Sequence, residues 1–121
     1  MKRPPRPFSA DEVARFIRAI KLAHVPGIRV RDACAKYGLN PRHFARARRE
    51  LAAESYWTGD DVVIAGLVRS PATVANLIAF IEWVDRATWT EAEVIAALKR
   101  AETVGLVAEN GGKWRLIGDW P

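Results

Sequence analysis

A single glycine restricts how the stretch from Val30 to Ala53 can fold, because Gly38 separates two segments with helical patterns. Glycine adopts at little cost the left-handed backbone conformation that ends many helices. Asn40 can then cap a second helix, and Pro41 suits its first turn, where a missing N–H loses no partner. The sequence therefore predicts two short helices that meet at a tight turn.

Small and apolar residues surround this turn at characteristic places. They are Ala33 and Cys34 before it, Leu39 just after it, and Phe44 and Ala47 in the second segment. With this pattern the stretch resembles the helix-turn-helix of DNA-binding proteins, over about a fifth of the chain. The resemblance is to the motif rather than to one family. It implies a three-helix bundle that presents its last helix to DNA.

Charge is distributed unevenly along the chain. Residues 1–56 hold 13 Lys and Arg against 5 Asp and Glu, whereas residues 57–121 hold 6 against 9. The two parts therefore carry formal charges of +8 and −3 within a total of +5. Basic surfaces suit phosphate backbones, because each neutralised phosphate releases counterions. The difference predicts that the first part contacts nucleic acid and that the second part has another partner.

The second helix of the motif has an arginine-rich face. At about 100° per residue, and with Phe44 pointing inward, Arg42, Arg46 and Arg49 lie about 140° to 160° away. His43 borders them, whereas Arg48 falls near the inward edge. Guanidinium groups on such a face suit phosphates and guanine edges, which predicts major-groove contacts by Arg42, His43, Arg46 and Arg49. The alternative is a solvated basic face on a three-helix bundle.

Further basic residues are predicted to contact phosphates. Arg31 and Lys36 belong to the first helix of the motif, and Arg3 and Arg6 belong to a Pro-rich arm, residues 1–8. Prolines prevent a helix in this arm, which could lie in a minor groove as basic arms of some DNA-binding domains do. The alternative for the arm is a disordered, solvated tail.

Helical periodicity divides the remainder of the chain. Ser9 and Glu12 form a capping box for a first helix that runs to about Ala23, and the periodicity breaks at residues 54–58. We therefore predict the basic arm at 1–8, a helix-turn-helix domain at 9–56 and a second domain at 57–121.

The second domain is predicted to hold three helices and a hairpin. The helices cover about 60–69, about 71–86 and a segment capped by Thr90, and Asn110-Gly111-Gly112 is a hairpin turn signal. Residues 60–118 resemble a winged-helix domain, although the helix at 71–86 is longer than usual there. The predicted fold class is therefore mainly α, with an N-terminal three-helix bundle and a C-terminal winged-helix-like module that has one β-hairpin.

The helix at 71–86 is apolar on nearly every side, which favours burial by a partner. We expect Leu77, Phe80, Ile81 and Trp83 to form the interface of a homodimer or with another protein. The outward positions of the last helix are assigned to Glu93, Ala97, Arg100 and Glu102, a surface that phosphate repels. The second domain is accordingly interpreted as a dimerisation or docking module. The alternative is that its wing contacts a DNA backbone through Lys113 and Arg115.

Other functional classes find little support in the sequence. No nucleotide-binding glycine motif or catalytic constellation occurs, and two histidines with one cysteine do not suggest a zinc site. We therefore expect no enzyme activity, no metal and no cofactor. No apolar segment approaches the length of a membrane helix, and the lone cysteine fits a cytoplasmic, nucleoid-associated protein.

The sequence thus predicts a protein that binds double-stranded DNA sequence-specifically, with RNA as an alternative ligand. The expected role is that of a small bacterial or phage transcriptional regulator acting as a dimer. The alternative is a non-enzymatic structural subunit of a larger nucleoprotein assembly, such as a packaging, replication or RNA-guided complex. Such a subunit would bind nucleic acid without sequence readout.

Overall fold

The computed structural model describes residues 4–51 and 57–121 of the chain. Within them the fold is mainly helical with one antiparallel hairpin near the C-terminus, which confirms the predicted fold class at this level. The chain divides into two compact units, Met1–Tyr56 and Trp57–Pro121. Of the predicted boundary segment, residues 54–56 lie outside the described residues.

Three α-helices and a short 3₁₀ turn make up the described part of the first unit. They are α1 (Ala10–Ala23), α2 (Val30–Lys36), the 3₁₀ turn Pro41–His43 and α3 (Phe44–Glu50). The predicted capping box begins α1, because the Ser9 side chain accepts from the Glu12 N–H while the Glu12 carboxylate accepts from the Ser9 N–H. Helix α1 packs against both α2 and α3 and so forms the support of this unit.

The core of the first unit joins α1 to the two shorter helices. Its buried side chains include Phe16, Ala19 and Ile20 of α1, Ala33 and Cys34 of α2, and Phe44 and Ala47 of α3. Val30, an apolar residue of α2, is 39% exposed. Helix α2 has only two turns and buries residues of its second turn, so Val30 at its start stays outside this contact.

The second unit contains three α-helices and the hairpin. These are α4 (Asp61–Ala65), α5 (Val74–Asp85), α6 (Glu91–Thr103), β1 (Val107–Asn110) and β2 (Lys113–Leu116). The hairpin pairs Val107 with Leu116 and Asn110 with Lys113. Gly111 and Gly112 both have positive φ at its tip, as a tight turn of this kind requires.

A single backbone bridge shortens the long helix that the sequence predicts at 71–86. Ala72 and Trp114 exchange two backbone hydrogen bonds of 2.9 and 2.8 Å, which holds residue 72 extended beside β2. Helix α5 therefore begins only at Val74, where the Thr73 side chain accepts from the Asn76 N–H. The helix ends at Asp85, and Arg86 follows with a φ of +50°.

Helix α4 is also shorter than the predicted 60–69. It ends at Ala65, and Gly66, Leu67 and Val68 continue in turns whose N–H groups bond three residues back. A Cβ at Gly66 would lie 2.6 Å from Leu77 Cδ2, so this glycine permits the close approach of α5. The tighter turns place Leu67 in the core, where it is 2% exposed.

Helix α6 buries a wider stripe than the sequence predicts. Val94, Ala97, Leu98 and Ala101 are all buried, so the outward position assigned to Ala97 was wrong. This helix packs against α4, α5 and β1, and contact with elements on several sides requires a broad inward face. Among the residues described, no helix is both long and apolar enough to cross a membrane.

Candidate nucleic-acid interface

A side chain from α1 fixes the turn between α2 and α3. Arg15 Nη1 donates to the carbonyl oxygens of Tyr37 at 2.9 Å and Gly38 at 3.3 Å. The Leu39 N–H donates to the Cys34 carbonyl at 2.9 Å, and Gly38 has a φ of +65°. Carbonyls at the end of α2 are therefore satisfied within the unit. The turn holds α3 in a defined direction.

The second helix of the motif begins as predicted but is not one regular helix. Asn40 caps it, since its side chain accepts from the Arg42 N–H at 3.0 Å, and Pro41 follows. Residues Pro41–His43 form a 3₁₀ turn, and the seven-residue α3 continues from Phe44. Phe44 and Ala47 are buried, which directs the opposite side of α3 to solvent.

Four basic side chains form what we call the α3 outer face: Arg42, His43, Arg48 and Arg49. All four are exposed. Across residues 4–51 and 57–121, none of these side chains forms an ion pair or a hydrogen bond. Arg48 had been placed near the inward edge, but the buried direction lies between Phe44 and Ala47, which leaves Arg48 at the side of the helix.

Arg46 occupies a different environment from the residues of the α3 outer face. Its side chain is only 18% exposed, and its Nε lies 3.0 Å from Glu50 Oε1. Its guanidinium carbon lies 4.0 Å from the centre of the Phe8 ring, and Nη2 donates to the Arg6 carbonyl. The sequence placed Arg46 on the outer face, whereas the structure places it against the arm. Helical spacing considers only residues of the helix itself, so it could not predict that the N-terminal arm covers Arg46.

The arm is held against α1 through Arg6 and Phe8. The Arg6 guanidinium donates to both carboxylate oxygens of Glu12, at 2.9 and 3.1 Å, and the Phe8 ring centre lies 5.0 Å from that of Phe16. Hydrogen bonds from Arg6, and then from the Ser9 backbone, lower the pKa of Glu12 to about 2. Arg6 itself stays 72% exposed. Arg3, the other predicted arm contact, lies outside the described residues.

A cleft of about 250 Å³ lies where the arm meets α3. Pro5, Arg6, Phe8, His43 and Arg46 line it. Three of these five residues are basic, and one of them, His43, also belongs to the α3 outer face. The arm therefore adds basic residues next to the basic surface of α3.

The two predicted phosphate contacts of α2 are exposed but have partners within the first unit. Arg31 Nε lies 3.7 Å from Asp32 Oδ1, and Lys36 Nζ lies 5.3 Å from the centre of the Tyr37 ring. Both pairs are at the surface, where such interactions contribute little free energy. A phosphate could therefore replace these partners at low cost.

The predicted interface residues of the second unit have mixed environments. Leu77 and Ile81 are completely buried in the core of this unit, so they are not available to a partner. Phe80 is half-buried, with its ring centre 6.5 Å from that of Trp57. Trp83 is the exposed member, at 69%. The sequence overestimated this interface, because α4 and α6 pack on α5 and its residues Leu77 and Ile81 are buried within the unit.

The predicted wing contacts lie on the outer side of β2. Lys113 and Arg115 are exposed, whereas Trp114 between them is 5% exposed. This alternation is typical of a strand with one buried face. Over the described part of the chain, no group of three or more His, Cys, Asp or Glu residues could hold a metal ion.

Sequence reasoning missed two residues that shape this interface. Arg15 secures the turn from a helix 22 residues away, and no local pattern reveals that contact. Phe8 directly precedes the cap residue Ser9, a position where apolar residues often pack onto the helix that follows. That signal could have predicted that the arm docks at Phe8.

Comparisons with protein-family models, with curated proteins and with solved structures give no significant match to this chain.

Proposed function

We propose that this protein binds double-stranded DNA through the α3 outer face and acts as a small transcriptional regulator of bacterial or phage type. The observation that carries the proposal is the set of exposed arginines Arg42, Arg48 and Arg49, which lack acidic partners in the described chain. Guanidinium groups left without counter-charge gain most from phosphate oxygens and guanine edges.

The support beneath this face favours a helix-turn-helix interpretation. Helices α2 and α3 meet at Gly38, and Arg15 fixes the turn from α1. A helix held from behind in this way can present its outer side to a groove without losing its own packing. The proposed location is cytoplasmic and nucleoid-associated, as DNA binding in a bacterial cell implies.

In this proposal Arg46 holds the arm in place, and the arm brings Arg6 close to the α3 outer face. Arg46 holds Phe8 and the Arg6 carbonyl, which keeps the backbone of the arm beside α3. The Arg6 guanidinium pairs with Glu12 of α1 and stays 72% exposed. Arg6 can then add a phosphate contact next to those of the outer face, in agreement with the cleft that the two share with His43. Arg46 is thus a positioning residue rather than a base reader.

The second unit is proposed to pair two copies of the chain. The order α4, bridge, α5, α6 and hairpin, with Ala72 paired to β2, agrees with a winged-helix-like module. Exposed Trp83 is the surface residue that favours a protein contact, because large aromatic side chains are enriched at interfaces. A dimer would present two α3 outer faces to a two-part operator.

Fluorescence anisotropy with a mixed-sequence duplex at several salt concentrations tests the proposal. Wild-type protein is expected to bind, with an affinity that falls steeply as salt rises. Arg42→Gln and Arg49→Gln should each reduce the slope of log affinity against log salt by about 0.9. Arg86→Gln removes one charge from the second unit and is the matched control. Absence of duplex binding at low salt would overturn the proposal.

A second candidate is a structural subunit of a nucleoprotein assembly that binds nucleic acid without sequence readout. The placement of Arg46 favours it, because that arginine contacts the arm and leaves a seven-residue helix with fewer base-reading groups. Selection from a random duplex library separates the two candidates. An enriched motif with two half-sites supports a dimeric regulator, whereas uniform recovery of all sequences supports the structural subunit.

A further inference from the structure

A groove of about 320 Å³ opens in the second unit between the loop after α4 and strand β2. Its lining consists of Leu67, Val68, Arg69, Ser70 and Pro71 from the loop, with Arg115 and Leu116 from the strand. The two sides are joined by the pair of backbone hydrogen bonds between Ala72 and Trp114. Backbone pairing of this kind fixes the spacing of the walls, so the groove is part of the fold.

The register of the bridge explains why two arginines share this groove. Ala72 pairs with Trp114 in antiparallel fashion, which brings Pro71 opposite Arg115. Arg69 lies in the bend two residues before Pro71, and it lines the same groove as Arg115. Trp114 points the other way into the core, at 5% exposure.

The charge of the groove contrasts with that of the second unit. Residues 57–121 carry a formal charge of −3, yet no acidic residue lines the groove. Arg69 and Arg115 are exposed, and neither has an ion pair or hydrogen bond with any residue that the structure describes. Lys99 and Arg100, by comparison, lie 3.6 Å from Glu102 and 2.7 Å from Asp60.

We propose that this groove binds a phosphate group of a nucleic-acid strand, with the guanidinium groups of Arg69 and Arg115 as the donors. Guanidinium presents a planar fork of N–H groups that matches phosphate oxygens, and two such groups offer hydrogen-bond donors to both unesterified oxygens of a phosphodiester. The apolar side chains of Pro71 and Leu116, which also line the groove, suit the sugar that adjoins a phosphodiester. The choice of nucleic acid rests on the function proposed above, because α3 would bring such a strand to the protein.

The phosphate requirement can be tested on the full chain by NMR. Inorganic phosphate is titrated against chloride at constant ionic strength, and the Nε–Hε signals of Arg69 and Arg115 are followed. Saturable shifts are expected in the wild type and in Arg86→Gln, which removes a charge of the second unit outside the groove. Arg69→Gln should abolish the saturable shift of Arg115, and Arg115→Gln that of Arg69. No saturable shift, or equal shifts in all variants, would overturn the site.

The nucleic-acid source is tested by duplex anisotropy with the same variants. Arg69→Gln and Arg115→Gln should each lower duplex affinity about eightfold at about 0.1 M salt, the value for one lost phosphate contact. Arg86→Gln should change it by less than about twofold, since a charge outside the groove contributes only to the general field. Phosphate binding with unchanged duplex affinity would contradict a nucleic-acid partner.

The two proposals fail in different ways. If the wild type binds no duplex, the function of α3 is overturned, and the groove loses its nucleic-acid partner even where inorganic phosphate binds. If the α3 variants weaken duplex binding but the groove variants do not, only the groove proposal is wrong.

Discussion

The guanidinium carbon of Arg46 lies 4.0 Å from the centre of the Phe8 ring, which joins helix α3 to the N-terminal arm through one aromatic face. The same ring lies 5.0 Å from that of Phe16, a core residue of α1. Phe8 therefore links an arginine of the candidate interface to the interior of the first unit. Since the Arg6–Glu12 pair also holds the arm on α1, arm and helix are expected to behave as one surface.

Replacement of Phe8 by leucine should loosen the first unit. It removes a cation–π contact worth about 0.5–1 kcal/mol and an aromatic pair worth about 0.5–1.5 kcal/mol, while most of the apolar volume stays. We expect a loss of about 1–2 kcal/mol, measured by amide hydrogen exchange in α1 and α3. All five tryptophans lie in residues 57–121, so their fluorescence during unfolding reports on the second unit as an internal control. Pro5→Ala is the matched arm variant and should change exchange little. Equal protection in Phe8→Leu and wild type would contradict the structural role of this ring.

The Arg6–Glu12 pair should depend on pH in one direction. The folded-state pKa of Glu12 is lowered to about 2 from 4.5, chiefly by hydrogen bonds from Arg6. A lowered carboxyl pKa means that the stabilisation is complete above about pH 4.5 and is lost as pH falls towards about 2. A carboxyl-detected NMR titration should give this low pKa, and Arg6→Gln should raise it towards the usual value. A Glu12 pKa near 4.5 in the wild type would show that the arm is not docked in solution.

The turn at Gly38 should tolerate asparagine better than alanine. Its φ of +65° is unfavourable for residues with a Cβ, at a cost of about 1–2 kcal/mol, and asparagine accepts this conformation more readily. A Cβ would lie 3.7 Å from Arg15 Nη1, an ordinary contact, so strain rather than a clash sets the cost. Thermal unfolding followed by far-ultraviolet circular dichroism should rank wild type above Gly38→Asn, and Gly38→Asn above Gly38→Ala. Alanine as stable as glycine would contradict the left-handed turn.

Interactions between neighbouring residues made the helix caps and the turn of the first unit predictable. The environment of its surface side chains was less predictable. The cap at Ser9, the turn at Gly38 and the cap at Asn40 depend on neighbouring residues, so the sequence contains all that determines them. The environment of Arg46 depends on Phe8, which is 38 positions away, and periodicity within α3 has no information about that contact. Helical spacing therefore identified an arginine-rich helix but could not tell which arginine the arm covers.

In the second unit, a long-range bridge limited what the pattern could predict. The apolar run at 71–86 is compatible with one long helix, but pairing of Ala72 with Trp114 extends the chain until Thr73. The hairpin was predictable, because its turn signal, Asn110-Gly111-Gly112, is local and depends on no distant residue. The groove at Arg69 and Arg115 was not, since 46 positions separate the two arginines and only the bridge brings them together.

The apolar residues of α5 should separate into two classes on substitution. Leu77 is completely buried, so Leu77→Ala is expected to cost about 2–5 kcal/mol in the stability of the second unit through lost burial and a cavity. Trp83 is 69% exposed, so Trp83→Ser should cost less than about 1 kcal/mol. Urea unfolding monitored by the remaining tryptophans measures both changes.

Light scattering after size exclusion then gives the mass of each variant. If two chains pair through this surface, Trp83→Ser should lower the mass towards that of one chain while the stability is kept. A wild type that is already monomeric at high concentration would remove the dimer from the proposed function, and a dimer unaffected by Trp83→Ser would place its interface elsewhere.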